Sequence, residues 1–442
     1  MKKYILSCVL LLACISIHAQ TKWTLRQCVD YAVQNNIELR QQSLKVSNAE
    51  INLSTSKNSR LPNLNASIGQ NFSFGRSTLQ NNTSESVNTS RTSFSIGTEV
   101  PVFTGFRIPN QIKADEFSLQ AATEGLKKAT ENLELEVVSL FLEVLLNKEI
   151  LKVNQEQAAL SKLQVEKTQI LLDAGKIPAS QLYDIKATAA KNELNVTTAE
   201  NSLALSLLNL SQALNLSVTE GFDVVVPDFG DVIDNNISSI IPPDQVYQMA
   251  LGIKPHIKEA ELQLESNKKL LKVAQSGYWP TLDFSASYGT SYTKVFGKTG
   301  LSFSRQLGDY GSEVIGFSLK IPIFNRFQTR NRVRAARLDI ENQNLILDNT
   351  KLALYKEIQQ AYQKAAAAQS EFNSTGKAYE AAEESFKYAR ERYDLGKSTV
   401  FEYNEAQTTL LTSKSKQIQA KYDFIFRAKI LDFYQGKQID IQ

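Results

Sequence analysis

Asp173-Ala174-Gly175-Lys176 recurs near the C-terminus as Asp394-Leu395-Gly396-Lys397, an offset of 394 − 173 = 221 residues. Working outward, Val100-Pro101-Val102-Phe103 returns as Ile321-Pro322-Ile323-Phe324, again 321 − 100 = 221 residues away. Further upstream, Arg60-Leu61-Pro62-Asn63-Leu64 answers Tyr278-Trp279-Pro280-Thr281-Leu282 at 278 − 60 = 218. The change in length between the copies therefore falls between the second and third motifs. A unit this large written twice predicts one body with internal pseudo-twofold symmetry in a chain of 442 residues.

The interval that changes length alternates in apolar and polar residues. Leu64, Ala66, Ile68, Phe72 and Phe74 share one face, opposite Asn65, Ser67, Gly69, Asn71 and Ser73. Phe94, Ile96, Val100 and Val102 alternate with Ser93, Ser95, Gly97 and Glu99. In the second copy Leu282, Phe284, Ala286, Tyr288 and Tyr292 oppose Asp283, Ser285, Ser287 and Gly289. Ile315, Phe317, Leu319, Ile321 and Ile323 oppose Gly316, Ser318 and Lys320. Such a period of two predicts four strands, in hairpins spanning residues 63–104 and 281–325, joined by the polar loops 80–91 and 294–311. Each is about 10 residues or slightly longer, enough for a tilted membrane strand. A soluble sheet with one dry face gives the same period. The polar face here is small and hydroxylic, as a lumen lining is, and four strands alone cannot bury both faces.

Outside the hairpins the chain reads as helix. A first helix is expected from Thr24, its N-cap, to about Arg60, and its counterpart from Asp244 as cap to about Tyr278, with Pro62 and Pro280 as stops. Ile112–Asp173 and Gln328–Leu395 contain no proline and one glycine each, Gly125 and Gly376. At about 1.5 Å per residue each such helix is on the order of 100 Å long and needs lateral partners throughout. Ile358, Ala365, Phe372, Tyr379, Phe386 and Tyr393 recur every seven residues, with Ala361, Ala368, Thr375, Ala382 and Ala389 between them. The same phase in the first copy gives Val137, Val144, Leu151, Ala158, Val165 and Leu172, interleaved with Leu140, Asn147, Asn154, Ser161 and Thr168. A strict seven-residue repeat imposes left-handed supercoiling. Return helices are expected over 180–214 and 400–434. Each stacked on its copy's first helix nearly matches one long helix, giving two columns per copy.

The boundaries that follow are an export signal at 1–19, a first repeat at 20–216, a linker with a small strand patch at 217–243, and a second repeat at 244–442. Lys2 and Lys3, the apolar run Tyr4–Ile17 and Ile17-His18-Ala19 suit cleavage before Gln20. Leu11-Leu12-Ala13-Cys14 offers a rival, a lipidated Cys14. After cleavage at Ala19, Cys28 and His256 are the only cysteine and histidine left, which removes disulfides, Cys–His catalysis and His/Cys metal clusters. The formal charge of +3 includes the two signal lysines, so no basic nucleic-acid footprint exists. No nucleophile–base pair or cofactor loop is present, and an enzyme is not expected. Gly396-Lys397-Ser398 imitates the end of a phosphate loop, but the required upstream glycine is Glu391.

Four strands have open edges, which lipid does not tolerate. Ordinary outer-membrane barrels begin at eight strands, so several chains must pool theirs, and three would give twelve. The expected fold is mainly α with a membrane β-barrel portion: a trimeric 12-stranded barrel continued by a long helical tube.

This order of parts resembles the TolC-like outer-membrane channels of tripartite efflux pumps and type I secretion systems. The resemblance spans essentially the whole mature chain. It rests on Thr24-Leu25-x-x-Cys28-Val29-x-x-Ala32 with Asn36, on the two Pro-x-Phe strand ends, and on the Gly175-Lys176 and Gly396-Lys397 turns. It implies a homotrimer in outer-membrane lipid, a periplasmic adaptor protein docked at the tips Gly175, Lys176, Gly396 and Lys397, and an inner-membrane transporter of RND, ABC or MFS type. It also implies aperture residues six and nine positions beyond each tip glycine: Glu402 and Glu405, and in the first copy Gln181 and Asp184. Acids in a first helical turn are also explained by the helix dipole alone. No cofactor is implied, and drug, metal or protein cargo is left open. The rival from another class is a coiled-coil scaffold or adhesion protein outside the membrane. Two smaller features have two readings each. Arg326, Arg330, Arg332, Arg334 and Arg337 either meet lipid head groups at the periplasmic rim or solvate a helix start. Tyr278, Trp279 and Tyr292 either join aromatic girdles or simply pack.

Overall fold

The computed structural model describes residues 22–78, 84–216, 221–227 and 241–437. The expected export segment, with Cys14 and Ala19, and most of the expected linker lie outside the described residues. In chain order the elements are β1 (Lys22–Trp23), α1 (Leu25–Asn35), α2 (Ile37–Asn58), β2 (Asn65–Ser73), β3 (Arg76–Thr78), β4 (Ser84–Ser86), β5 (Thr89–Phe103), α3 (Arg107–Asp173) and α4 (Ala179–Ala213). They continue with β6 (Asp223–Val224), α5 (Pro243–Ile253), α6 (Pro255–Gln275), β7 (Thr281–Val295), α7 (Phe303–Asp309), β8 (Ser312–Lys320), α8 (Gln328–Asp394) and α9 (Val400–Tyr434). The duplication is nearly metric: α3 and α8 each have 67 residues, and α4 and α9 each have 35.

Two expected helices are each broken in two. Thr24 does cap α1, with a capping box closed by Gln27, but the helix stops at Asn36, whose backbone is extended. The Asn36 carboxamide oxygen instead accepts from the Glu38 and Leu39 amides at 2.8 and 3.1 Å, capping α2 afresh. In the second copy the break is at Lys254, also extended, because Pro255 disfavours helical geometry in the residue before it. The cap there is Pro242, and Asp244 lies inside the first turn of α5.

The structure divides into two compact units, and each draws on both sequence repeats. One comprises the described residues up to Ser43 together with Gly125–Ile257 and Asn349 onward; the other comprises Leu44–Glu124 and Lys258–Asp348. In the first unit Cys28, Val137, Phe141, Val144, Leu145, Leu210, Leu214 and Ile425 form a core with at most 1% exposure. Burial pushes the Cys28 thiol up to about 12, so it is an inert packing group. The seven-residue seam packs as its spacing predicts: Ile358 and Ala365 are buried, Phe372 stacks on Phe424 with centroids 5.8 Å apart, and Phe386 and Tyr393 both meet Tyr403. β1 and β6 pair in parallel, and Lys148 donates to the Val224 carbonyl at 2.8 Å.

The second unit carries an antiparallel sheet of order β2-β5-β7-β8. The two inner strands have 15 residues each and the two outer strands nine each. The copies meet at the centre, where β5 pairs with β7. Pro101 lies at the irregularity in that ladder and beyond the reach of β2, whose pairing ends at Gly97. β8 ends earlier than its alternation suggests. Ile321 and Ile323 fall outside it, because Pro322 cannot extend the ladder. The loop 294–311 also contains a short helix, α7, anchored by the buried Gln306, which accepts from the Thr293 amide and donates to the Thr293 and Leu301 carbonyls.

The expected apolar face of this sheet is open. Ile68 is 73% exposed, Ile315 73% and Phe317 69%. The other face carries hydroxyl contacts such as Ser67 to Ser95 at 2.8 Å. Gln70 interrupts the apolar row and is satisfied across the strand pair by Ser90 and Thr92.

Candidate functional site: the helical tips and the open sheet

Each long helix ends in the same device. Gly175 and Gly396 have φ of +68° and +69°, and a Cβ at either would touch nothing, so glycine is required there for its left-handed backbone and not for space. The Gly175 amide donates to the Leu172 carbonyl at 2.8 Å and the Lys176 amide to Leu171 at 2.9 Å. At the second tip the Gly396 amide reaches Tyr393 at 3.0 Å and the Lys397 amide reaches Arg392 at 2.8 Å. This pair of hydrogen bonds satisfies the last helical carbonyls and reverses the chain within a few residues. Lys176 and Lys397 are exposed at the two apices.

The helices that leave the tips differ. α9 is capped by Thr399, whose hydroxyl accepts from the Glu402 amide at 3.2 Å while the Glu402 carboxylate accepts from the Thr399 amide at 3.1 Å. Ser398 also donates to Glu402. These bonds, Ser398 first, hold the Glu402 carboxyl below its ordinary range. α4 has Pro178 at the cap and no side-chain bond there. Gln181 is half-buried, and Asp184 is exposed.

Glu402 and Glu405 are both exposed, while Val400, Tyr403 and Gln407 form the buried stripe of α9. The two acids therefore sit on a free face of the helix, three residues apart. Among the described residues no hydrogen bond or ion pair joins either glutamate to Gln181 or Asp184. Other residues link the two copies here. Lys167 of α3 bonds Asp394 at the end of α8 at 2.6 Å, and Asn404 of α9 donates to Thr188 of α4 at 3.2 Å. Sequence reasoning missed both ties. Asp394 lies in the repeated motif, but Lys167 has Tyr388 as its counterpart, so symmetry gave no sign of it.

Among the described residues no helix is long and apolar enough to cross a membrane, a criterion that says nothing of strands. What the sheet offers instead is an apolar face and two unpaired edges, along β2 and β8.

A sequence model of the outer membrane efflux protein family matches residues 28–216 and 246–432. The chain is similar to the outer membrane protein TolC of Escherichia coli, with 22% identity over 280 residues, 63% of this chain and 56% of that protein. It is similar to the outer membrane efflux protein BepC of Brucella suis, 21% identical over 340 residues, 76% of this chain and 70% of that one. The match thus spans little more than half the length of TolC. The crystal structure of VceC, an outer membrane protein of Vibrio cholerae, superposes with a TM-score of 0.74 at 16% identity, covering 94% of this chain and 97% of that one.

Proposed function

Because this chain belongs to the outer membrane efflux protein family, we propose that it is the outer-membrane exit channel of a tripartite efflux pump or type I secretion system. It conducts cargo passively from an inner-membrane transporter and a periplasmic adaptor, and it has no catalytic role. The observation that carries this reading is the four-stranded sheet, with an exposed apolar face and two unpaired nine-residue edges. An edge in hydrocarbon leaves each unpaired amide and carbonyl unsatisfied at several kcal/mol. Pairing β8 of one copy with β2 of the next removes both edges at once. Three copies give twelve strands, with the hydroxyl face lining the lumen.

Under this reading 1–19 is the export signal, 217–243 is a linker between two repeats, and the Gly175-Lys176 and Gly396-Lys397 tips meet the adaptor. Glu402 and Glu405, with Asp184 and Gln181, line the aperture and favour cations. A scaffold outside the membrane has no use for Phe317 and Ile315 in water. The test is purification from outer membranes followed by planar-bilayer recording. A trimer that needs detergent and carries steady current is the expected result; a compact monomer soluble without detergent overturns it.

A further inference from the structure

The strand β8 runs directly into an arginine stripe. Arg326 precedes α8, and Arg330, Arg332, Arg334 and Arg337 lie in its first turns, all exposed. Arg330, Arg334 and Arg337 are four and three residues apart, so they share one helix face. Among the described residues none of the five forms an ion pair. Arg330 lies 5.7 Å from the centre of the Phe327 ring.

Neither helix stability nor symmetry accounts for them. The positive end of the α8 dipole disfavours cations near its start, and no acid occupies the first turn to offset them. The corresponding first-copy residues, 221 positions earlier, are Gly105, Pro109, Gln111, Lys113 and Glu116. One of these five is basic, yet α3 has the same length as α8. The shared fold therefore does not require the stripe.

The neighbours of the stripe indicate its partner. Between β8 and Arg330 stand Ile321, Ile323, Phe324 and Phe327, which are 62%, 94%, 72% and 55% exposed. They follow Phe317 and Leu319, which are 69% and 60% exposed, so exposed apolar side chains run on in sequence from the strand to the helix. Apolar strand, exposed aromatics and then cations is the order of a hydrocarbon core, its interface and its charged head groups. We propose that Arg330, Arg334 and Arg337, with Phe324 and Phe327, form a docking site for anionic phospholipid head groups of the periplasm-facing leaflet. The proposal rests on the membrane reading above.

The experiment is native mass spectrometry of the full-length protein in non-ionic detergent, titrated with phosphatidylglycerol, phosphatidylcholine or inorganic phosphate. Each surface arginine strengthens attraction to anionic lipid roughly fivefold, so retained phosphatidylglycerol should exceed phosphatidylcholine by about tenfold or more. The triple variant R330Q/R334Q/R337Q should lose that preference, the triple lysine variant should keep most of it, and K113Q should change nothing. Equal retention by wild type and the glutamine variant overturns the proposal. So does displacement by inorganic phosphate, which marks a free-anion site, and so does loss of the oligomer in the glutamine variant, which marks a subunit contact. Membrane fractionation and conductance on the same samples separate the two levels. If both persist while lipid preference ignores the arginines, the rim site alone fails; if both are absent, the channel reading fails with it.

Discussion

Lys167 Nζ lies 2.6 Å from Asp394 Oδ1, so the long helix of the first repeat is tied to the turn of the second. Both side chains are close to half exposed, at 49% and 42%. An exposed pair contributes about 0.2–1 kcal/mol, which is too little to matter for global stability. Its effect is local. K167Q or D394N should leave the melting temperature almost unchanged and speed amide exchange across both tips, as should high salt in the wild type. Exchange indistinguishable from wild type at residues 173–184 and 394–405 would deny the pair this role.

Glu402 has two candidate roles that one substitution separates. Glutamine at the third helical position still closes a capping box. E402Q together with E405Q should therefore keep α9 intact and reduce cation selectivity in bilayer recordings. Selectivity equal to wild type sinks the aperture assignment. The pH dependence has a definite sign. The folded-state carboxyl titrates below its ordinary range, so its stabilisation is complete above that range and fades as pH falls through the lowered folded value. Acid should thus loosen the second tip before the first, whose cap is Pro178.

Thr399→Ala removes the hydroxyl that accepts from the Glu402 amide and should cost about 1 kcal/mol. Replacement by serine should recover most of it. Circular dichroism melting of the two variants decides the matter, since a loss shared by serine would point to lost packing instead.

His256 is held low, at about 4, by burial, with Lys128 and Lys254 adding repulsion. The unfolded chain takes up a proton near pH 6.5 and the folded chain does not, so stability declines as pH falls from about 6.5 to 4. H256Q should flatten the melting temperature across that window. A profile of unchanged slope would assign the acid sensitivity elsewhere.

Phe317 is 69% exposed on β8. Lysine on the lipid face of a barrel costs about 2–4 kcal/mol near mid-membrane, whereas on a wetted strand the exchange is nearly neutral. F317K should therefore cut outer-membrane yield sharply and leave expression of unfolded chain unaffected. Normal yield and conductance would show that this face meets water. Ile358→Ala, fully buried between helices, should cost about 2–5 kcal/mol in either setting and serves as the reference for ordinary core damage.

Much of this architecture was legible from the chain. Helix and strand periods do not overlap, and repetition checks each assignment against its copy. The return helix 400–434 matches its expected bounds because Thr399 caps its start and Gly436, with φ of +79°, turns the chain just past its end. The breaks at Asn36 and Lys254 were missed because the apolar pattern runs through both sites. Pro255 was the available sign for one of them, and the capping carboxamide of Asn36 for the other. The helix α7 was hidden in a glycine-rich loop, since it is seven residues long and held by Gln306, a polar anchor with no periodic signature. At the tips the glycines announced the turns. The links Lys167–Asp394 and Asn404–Thr188 were silent, because long-range polar pairs leave no trace in local spacing.

The even number of strands in the sheet has a genetic consequence. β2 and β8 run in opposite directions, so a ring of any number of copies closes with antiparallel seams throughout. Each subunit then offers its neighbours two complementary edges, and spoiling one edge breaks one joint while the other edge of that copy stays sound. An allele bearing proline at Ile68 would still present an intact β8, enter nascent rings and stall them. Co-expressed with the wild type it should poison the population, leaving only a minority of sound assemblies, and so behave as a dominant mutation in a cell that carries a good copy.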